Sequence, residues 1–249
     1  MTAAFYEGLI GTVYAAAIAG QRFGEDTVFT RIVAESGGTA LELGSGTGRL
    51  LLRLLGAGHD VHGLEISEQM IATCLAEARR LGLRPTVHRG SFAPLDLDPG
   101  HYSVVYCPLN AFSFIVDDAL ALESVRSYAA ALRPGGVLAL AGSAGEPRAL
   151  RAPAGWVRRD DVPIGAGRVA QVREHRTVQT GGCMRIERVV RTVGPDGEEY
   201  STEEGTQLRR LRPIADLAGM FGRCGFTGLR AFGGDADYVL IGRKERPAT

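Results

Sequence analysis

Apolar and polar positions divide the chain into stretches of different period. Over residues 1–36, Tyr14, Ile18, Val28, Phe29, Ile32 and Val33 recur at helical spacing, which predicts a helical segment with a buried stripe ended by Gly37-Gly38. Over residues 39–142, short apolar runs alternate with helical ones. Thr39–Leu43, Asp60–Glu65, Thr86–Arg89, Tyr102–Cys107 and Val137–Ala141 read as strands. Arg49–Leu55, Ser67–Leu81 and Asp118–Leu132 read as helices, with Ser67 placed to cap the second of them. Arg133-Pro134-Gly135-Gly136 reads as a turn.

Residues 156–211 change period again. Arg168–Thr180, Cys183–Val193 and Tyr200–Leu211 are strand-like, separated by the hairpin signals Gly181-Gly182 and Pro195-Asp196-Gly197. A helix from Pro213 to about Cys224 and strands at Phe226–Phe232 and Asp237–Arg243 follow, and Glu245–Thr249 reads as a loose end. The pattern predicts an α/β fold: a Rossmann-like, doubly wound, mostly parallel sheet with an added antiparallel β layer. Residues 1–249 are expected to form one domain, with a helical cover (1–36), an α/β core (39–142), the layer (156–211) and a closing helix and strands (213–243).

Composition narrows the function. A chain of 249 residues buries a substantial core without staples. Lys+Arg and Asp+Glu are both 28, so there is no basic excess to neutralise nucleic-acid phosphates. Cys74, Cys107, Cys183 and Cys224 are scattered, which favours reduced thiols over disulfides or a metal site. The start, Met1-Thr2-Ala3-Ala4-Phe5-Tyr6-Glu7, lacks the basic region of a signal peptide, and the apolar run Thr12–Ala19 is too short to span a bilayer. The expectation is a cytoplasmic protein without a nucleic-acid or membrane partner.

The informative segment is Glu42-Leu43-Gly44-Ser45-Gly46-Thr47-Gly48, between the first strand of the alternating region and its first helix. In open α/β sheets, ligands bind there, at the carboxyl ends of the strands. A dinucleotide loop asks for glycine at the sixth position from Gly44, and that position is Arg49. Glu65 ends the second strand, 19 residues beyond Gly46. An acid there accepts hydrogen bonds from a ribose diol and repels a phosphate.

These residues resemble motif I of class I S-adenosylmethionine-dependent methyltransferases. Gly63-Leu64-Glu65-Ile66-Ser67-Glu68-Gln69-Met70 resembles their ribose-binding second strand, and Leu132-Arg133-Pro134-Gly135-Gly136 the turn before their fifth. More loosely, Gly155-Trp156-Val157 through Leu208-Arg209-Arg210-Leu211, and the closing helix up to Gly225-Phe226, resemble amino-sugar N,N-dimethyltransferases of macrolide biosynthesis. The resemblance implies S-adenosyl-L-methionine as cofactor, held from the motif containing Glu42. Gly44, Ser45 and Gly46 would meet its methionine and ribose parts, and Glu65 the ribose hydroxyls. Ile66 and Met70 would flank the adenine, Ser91 and Phe92 would lie at its edge, and Cys107, Pro108 and Leu109 would pass beneath the cofactor. Most relatives carry Asp where this chain has Ser91. The resemblance also suggests a homodimer.

Methyl transfer from a sulfonium needs alignment and exclusion of water more than acid–base groups. Candidates around the acceptor are Tyr6 and Tyr14, whose aromatic faces suit a cation, then Asn110, Phe112 and Phe114 after the fourth strand, and His175, Arg209, Arg210 and Arg212 of the antiparallel layer. Tyr14, Asn110 and His175 are the expected catalytic positions, with His175 the one credible base. No metal is expected, because Cys107-Pro108-Leu109-Asn110 lacks the acids that metal-dependent catechol-type enzymes carry there. It also lacks the Asn/Asp-Pro-Pro-Tyr/Phe signature of nucleic-acid amino-methyltransferases. The expected activity is methyl transfer to an N or O atom of a small molecule, in secondary metabolism such as antibiotic biosynthesis. The alternatives are a protein that binds the cofactor without methylating and, disfavoured by Arg49, a nicotinamide oxidoreductase.

Overall fold

The computed structural model describes residues 6–143, 155–179, 181–234 and 237–246. The first five residues of the expected helical cover, Thr180 at the end of an expected strand, and residues 247–249 of the loose end lie outside them. The cover is two helices, α1 (Gly8–Ile18) and α2 (Asp26–Ser36). They are separated by a segment containing Gly20, at φ 68°, and Gly24. α2 buries Phe29 and Val33 against the sheet. α1 turns Ile10 and Val13 the other way, onto Ala170, Val172 and Val190 of the antiparallel layer.

The α/β core runs β1 (Ala40–Leu43), α3 (Leu51–Gly56), β2 (Val61–Glu65), α4 (Glu68–Arg80), β3 (Thr86–Arg89), β4 (Tyr102–Cys107), α5 (Asp118–Ala131) and β5 (Leu132–Ser143). Ser67 caps α4 as expected, its Oγ accepting from Met70 N at 3.1 Å. β1 and β4 are buried along their whole length, as strands covered by helices on both faces must be. After α6 (Ile214–Arg223) the chain adds β11 (Phe226–Gly233) and β12 (Asp237–Lys244), β12 pairing antiparallel with β5 and β11 antiparallel with β12. The sheet order is β11-β12-β5-β4-β1-β2-β3, with parallel pairing from β5 to β3. The direction of winding reverses between β1 and β4, which opens a crevice at their carboxyl ends.

Arg133–Gly136, expected as a turn, belongs to β5. Tyr102 already pairs with Leu132, and the irregularity survives as a register shift and as Gly135 at φ 78°. The second sheet follows the order β10 (Glu199–Arg210), β9 (Cys183–Val193), β8 (Arg168–Gln179), β6 (Val157–Arg158), with β7 (Val162–Gly165) also on β8. β6 and β7 were not anticipated, being two and four residues long.

Candidate active site

β1 delivers the glycine loop to the crevice. Gly44 (φ 67°) and Gly48 (φ 79°) hold left-handed backbone, and a Cβ on Gly48 would lie 2.5 Å from Cys74 Sγ. Gly44 N and Ser45 N both donate to Leu64 O, fastening the loop to β2. Glu65, at the end of β2, accepts from Ile66 N (2.8 Å) and Ser67 N (2.9 Å) on Oε1, and from Gly46 N (2.8 Å) on Oε2. A carboxylate offers about four acceptor positions, so a diol arriving at Glu65 competes with the Gly46 amide.

Glu42 lies at the floor, 2% exposed, and accepts from Tyr106 OH at 2.7 Å. Burial pushes its carboxyl up to about 8, against the opposing pull of the Tyr106 hydrogen bond. Tyr14 closes the opposite side, its ring 4.8 Å from that of Tyr6, and burial lifts its phenol well above the usual range. Tyr6 also meets Phe114 edge-on at 5.9 Å. This aromatic cover is tied down on two sides. Ser67 Oγ donates to Tyr6 O, Gln69 Nε2 to Gly8 O, and Leu9 N to Glu203 Oε2 on β10.

The structure therefore brings eleven expected cofactor positions to one cleft: Tyr14, Glu42, Gly44, Ser45, Gly46, Glu65, Ile66, Met70, Phe92, Pro108 and Leu109. Arg49, Phe114 and Arg209 join them. Two positions expected there lie elsewhere. Ser91 turns its Oγ to Ala93 N (2.9 Å), and Cys107 sits in the apolar core, where burial raises its thiol. The cleft is narrow, about 70 Å³, because the Tyr6–Tyr14 segment lies across it. A larger cavity of about 690 Å³ lies between α2 and β11–β12, away from the glycine loop.

Arg49, which spoils the dinucleotide pattern, has a structural task. It grips Asp26 through two hydrogen bonds of 2.6 and 2.9 Å and locks α2 to the glycine loop. Burial works to raise the Asp26 carboxyl, but hydrogen bonds from Arg49, Phe23 N and Arg53 outweigh it and hold it below its ordinary value.

A second cavity, about 570 Å³, adjoins the cleft and shares Leu109 and Arg209 with it. Asn110 stands here, not in the cofactor cleft. Its Nδ2 donates to Ser143 Oγ (3.0 Å), which donates to Asp237 Oδ1 (2.7 Å). Leu109 and Asn110 both hold left-handed backbone, at φ 53° and 54°, an uncommon arrangement for consecutive residues with side chains. Leu109 N donates to Glu25 Oε1 at 2.6 Å. The sequence reading missed Glu25 and Asp237; beside Asp26, Glu25 looks like an ordinary helix-start acid, and no linear spacing links it to Leu109.

His175 is not brought to either cavity. On β8 it pairs through Nδ1 with Glu187 Oε2 at 3.2 Å and lies against Trp156. Of the layer's arginines, Arg209 reaches the cleft, over the Phe114 ring at 4.6 Å. Arg210 and Arg212 pair with Asp118. Among the described residues no group of three or more His, Cys, Asp or Glu side chains could hold a metal ion, and no helix is long and apolar enough to cross a membrane.

The donor set fits S-adenosylmethionine. Two acids, Glu42 and Glu65, face a cleft whose two arginines are already engaged, Arg49 with Asp26 and Arg209 with Gln207 and the Phe114 ring. A cation bearing a diol is favoured there, and a pyrophosphate is not.

Comparison with known proteins agrees. Residues 40–136 match the family described as "Methyltransferase domain". An uncharacterized methyltransferase of Geobacillus thermodenitrificans is 31% identical over 121 residues, 49% of this chain and 54% of that protein. The chain thus spans about half the length of the curated relatives it matches. Among solved structures, the sugar N-methyltransferase KedS8 of a Streptoalloteichus species aligns with TM-score 0.74 at 22% identity, over 92% of this chain and 91% of that one. DesVI of Streptomyces venezuelae aligns with TM-score 0.73 at 21% identity, over 98% and 100%. CalS10, an amino pentose methyltransferase of Micromonospora echinaspora solved with S-adenosylmethionine bound, aligns with TM-score 0.70 at 22% identity, over 96% and 99%. Residues 40–136 thus match the methyltransferase-domain family, and the chain has the fold of an S-adenosylmethionine-dependent methyltransferase of Clostridium acetobutylicum.

Proposed function

We propose that this chain transfers the methyl group of S-adenosylmethionine to a nitrogen or oxygen atom of a small molecule in secondary metabolism. The observation that carries the reading is the acidic cleft at the strand crossover, built from Glu42, Glu65 and the glycine loop. The names of the structural neighbours, sugar and amino pentose methyltransferases, support a sugar-like acceptor bearing an amine.

When bound, the cofactor supplies a methyl group already activated on a sulfonium. The chain's residues hold and enclose it. Glu65 offers its carboxylate to the ribose diol, and Ile66, Met70 and Phe92 give apolar surface to the adenine. Glu42 offers a buried acid toward the cationic end. Tyr6 and Tyr14 exclude water, and their ring faces attract positive charge. Catalysis on this reading comes mainly from alignment in a dry cleft. Entry requires the tyrosine cover to open, since about 70 Å³ is far below the volume of a small-molecule site.

The test is incubation with methyl-labelled S-adenosylmethionine and a panel of amino sugars and their hydroxyl counterparts. A labelled product is expected. Tight cofactor binding without transfer to any acceptor would contradict the reading and favour a binding protein.

A further inference from the structure

We propose that the cavity beside the cofactor cleft is an amine-binding site, in which Glu25 receives the acceptor's ammonium group and takes its proton. The inference rests on the methyl-transfer reading above and adds an acceptor class and a residue to it. Glu25 precedes α2 and reaches the Leu109–Asn110 turn, where Leu109 N occupies its Oε1. Its Oε2 has no hydrogen-bond partner among the described residues, and the side chain lines the cavity. Leu109 borders both cavities, so Glu25 stands one residue away from the cofactor cleft.

The other charged groups of the cavity leave this position open to a cation. Arg176 is held by Glu174, and Arg209 donates to Gln207 and lies over Phe114. Asp237 adds a second negative charge, held in place by Ser143. Met184, Leu211 and Tyr238 supply apolar surface for the body of a small ring. The matching ligand is a compact amine with a hydroxylated or apolar frame.

An ammonium nitrogen has no lone pair and cannot attack a methyl group. In the proposed step an N–H bond breaks, its electron pair stays on nitrogen, and the proton forms an O–H bond on the Glu25 carboxylate. The proton then passes to solvent through the cavity. Burial pushes Glu25 up to about 7, helped by Asp26 and Asp237 and opposed by the Leu109 amide and Arg49. A carboxyl tuned close to neutral pH exchanges protons efficiently.

The Leu109 amide reports the charge on Glu25, because it bonds to it. Its NMR resonance is followed against pH in the whole chain with S-adenosylhomocysteine, alone, with glucosamine, and with glucose as the neutral control. An inflection near pH 7 is expected. It should move to lower pH with glucosamine and stay put with glucose. Glu25→Gln keeps an oxygen for Leu109 N; it should abolish the inflection and weaken glucosamine about tenfold while leaving S-adenosylhomocysteine affinity unchanged. Asp237→Asn, a second variant, should lower the inflection by removing a repelling charge. Equal responses to glucosamine and glucose, a glucosamine response that survives Glu25→Gln, or an inflection unmoved by Asp237→Asn would overturn the proposal. If S-adenosylhomocysteine binds and the amine response is absent, this inference alone fails. If S-adenosylhomocysteine does not bind, the methyl-transfer reading fails and takes the inference with it.

Discussion

The parallel sheet and the antiparallel layer bury Glu42 and Glu174 respectively, and they treat the two acids in opposite ways. Glu42 on β1 lies among apolar strands buried on both faces, with a single phenol as donor. Its carboxyl rises to about 8. Glu174 on β8 is as deeply buried, at 3% exposure, but receives Arg159, Arg176 and Arg188. Burial would raise it too, and the three arginines overturn that and hold it down at about 2. The apolar clusters of the layer are small: Ala170, Val172 and Val190 beneath α1, and Met184, Ile186 and Leu211 at the other end. One region is thus held by apolar packing, and its acid rises above its ordinary value. The other is stitched through a charge network.

The largest expected difference follows from removing each acid. Glu174→Gln leaves three guanidinium groups around a neutral amide and should destabilise the fold by about 3 kcal/mol, the usual cost of breaking a buried ion pair. Glu42→Gln removes an acid whose folded value of about 8 lies above its ordinary 4.5, so at pH 7 it should not destabilise the fold. Denaturant unfolding of the two variants measures this, and equal losses would erase the distinction.

The pH dependence sharpens it. Glu174 has a folded value of about 2, below its ordinary 4.5, so its stabilisation is complete above 4.5 and disappears as pH falls toward 2. Glu42 runs the other way. Its contribution is complete below 4.5 and is lost as pH rises through about 8, with Glu25 adding the same sign up to about 7. Melting temperature against pH should lose its acid limb in Glu174→Gln and flatten between 4.5 and 8 in Glu42→Gln. Unaltered curves would show that neighbours do not set these charges.

Effects on the ligand should be smaller or similar. Glu65→Ala should weaken S-adenosylmethionine by about 1.5–3 kcal/mol, the worth of hydrogen bonds to a charged group, measured by calorimetry. His175→Ala should change turnover least, because the histidine faces Glu187 and Trp156 and lines neither cavity. A loss of about 10²–10⁴-fold with cofactor affinity intact would instead make it an obligatory base.

The same division explains what was legible beforehand. The strands of the parallel sheet and the glycine loop are local patterns, so Thr86–Arg89 and Tyr102–Cys107 coincide with their expected bounds. The long hairpin strands of the layer were legible from alternation and turn residues, and β9 matches its expected range. Other features depend on contacts that no spacing reveals. Glu25 meets Leu109 across 84 positions of sequence, and Arg49 reaches Asp26 across 23. The break between α1 and α2 was hidden because both helices are apolar enough to read as one stripe. Only the fold shows that their buried faces meet different sheets.

The most direct test of the central claim is the proton count on cofactor binding. Calorimetry of S-adenosylmethionine binding at pH 7, repeated in buffers of different ionisation enthalpy, measures it. The account predicts release of up to about one proton per chain, because a sulfonium and an ammonium entering the cleft lower a Glu42 that is neutral when alone. That release should vanish in Glu42→Gln. Absence of binding, or proton uptake with binding, would contradict the account.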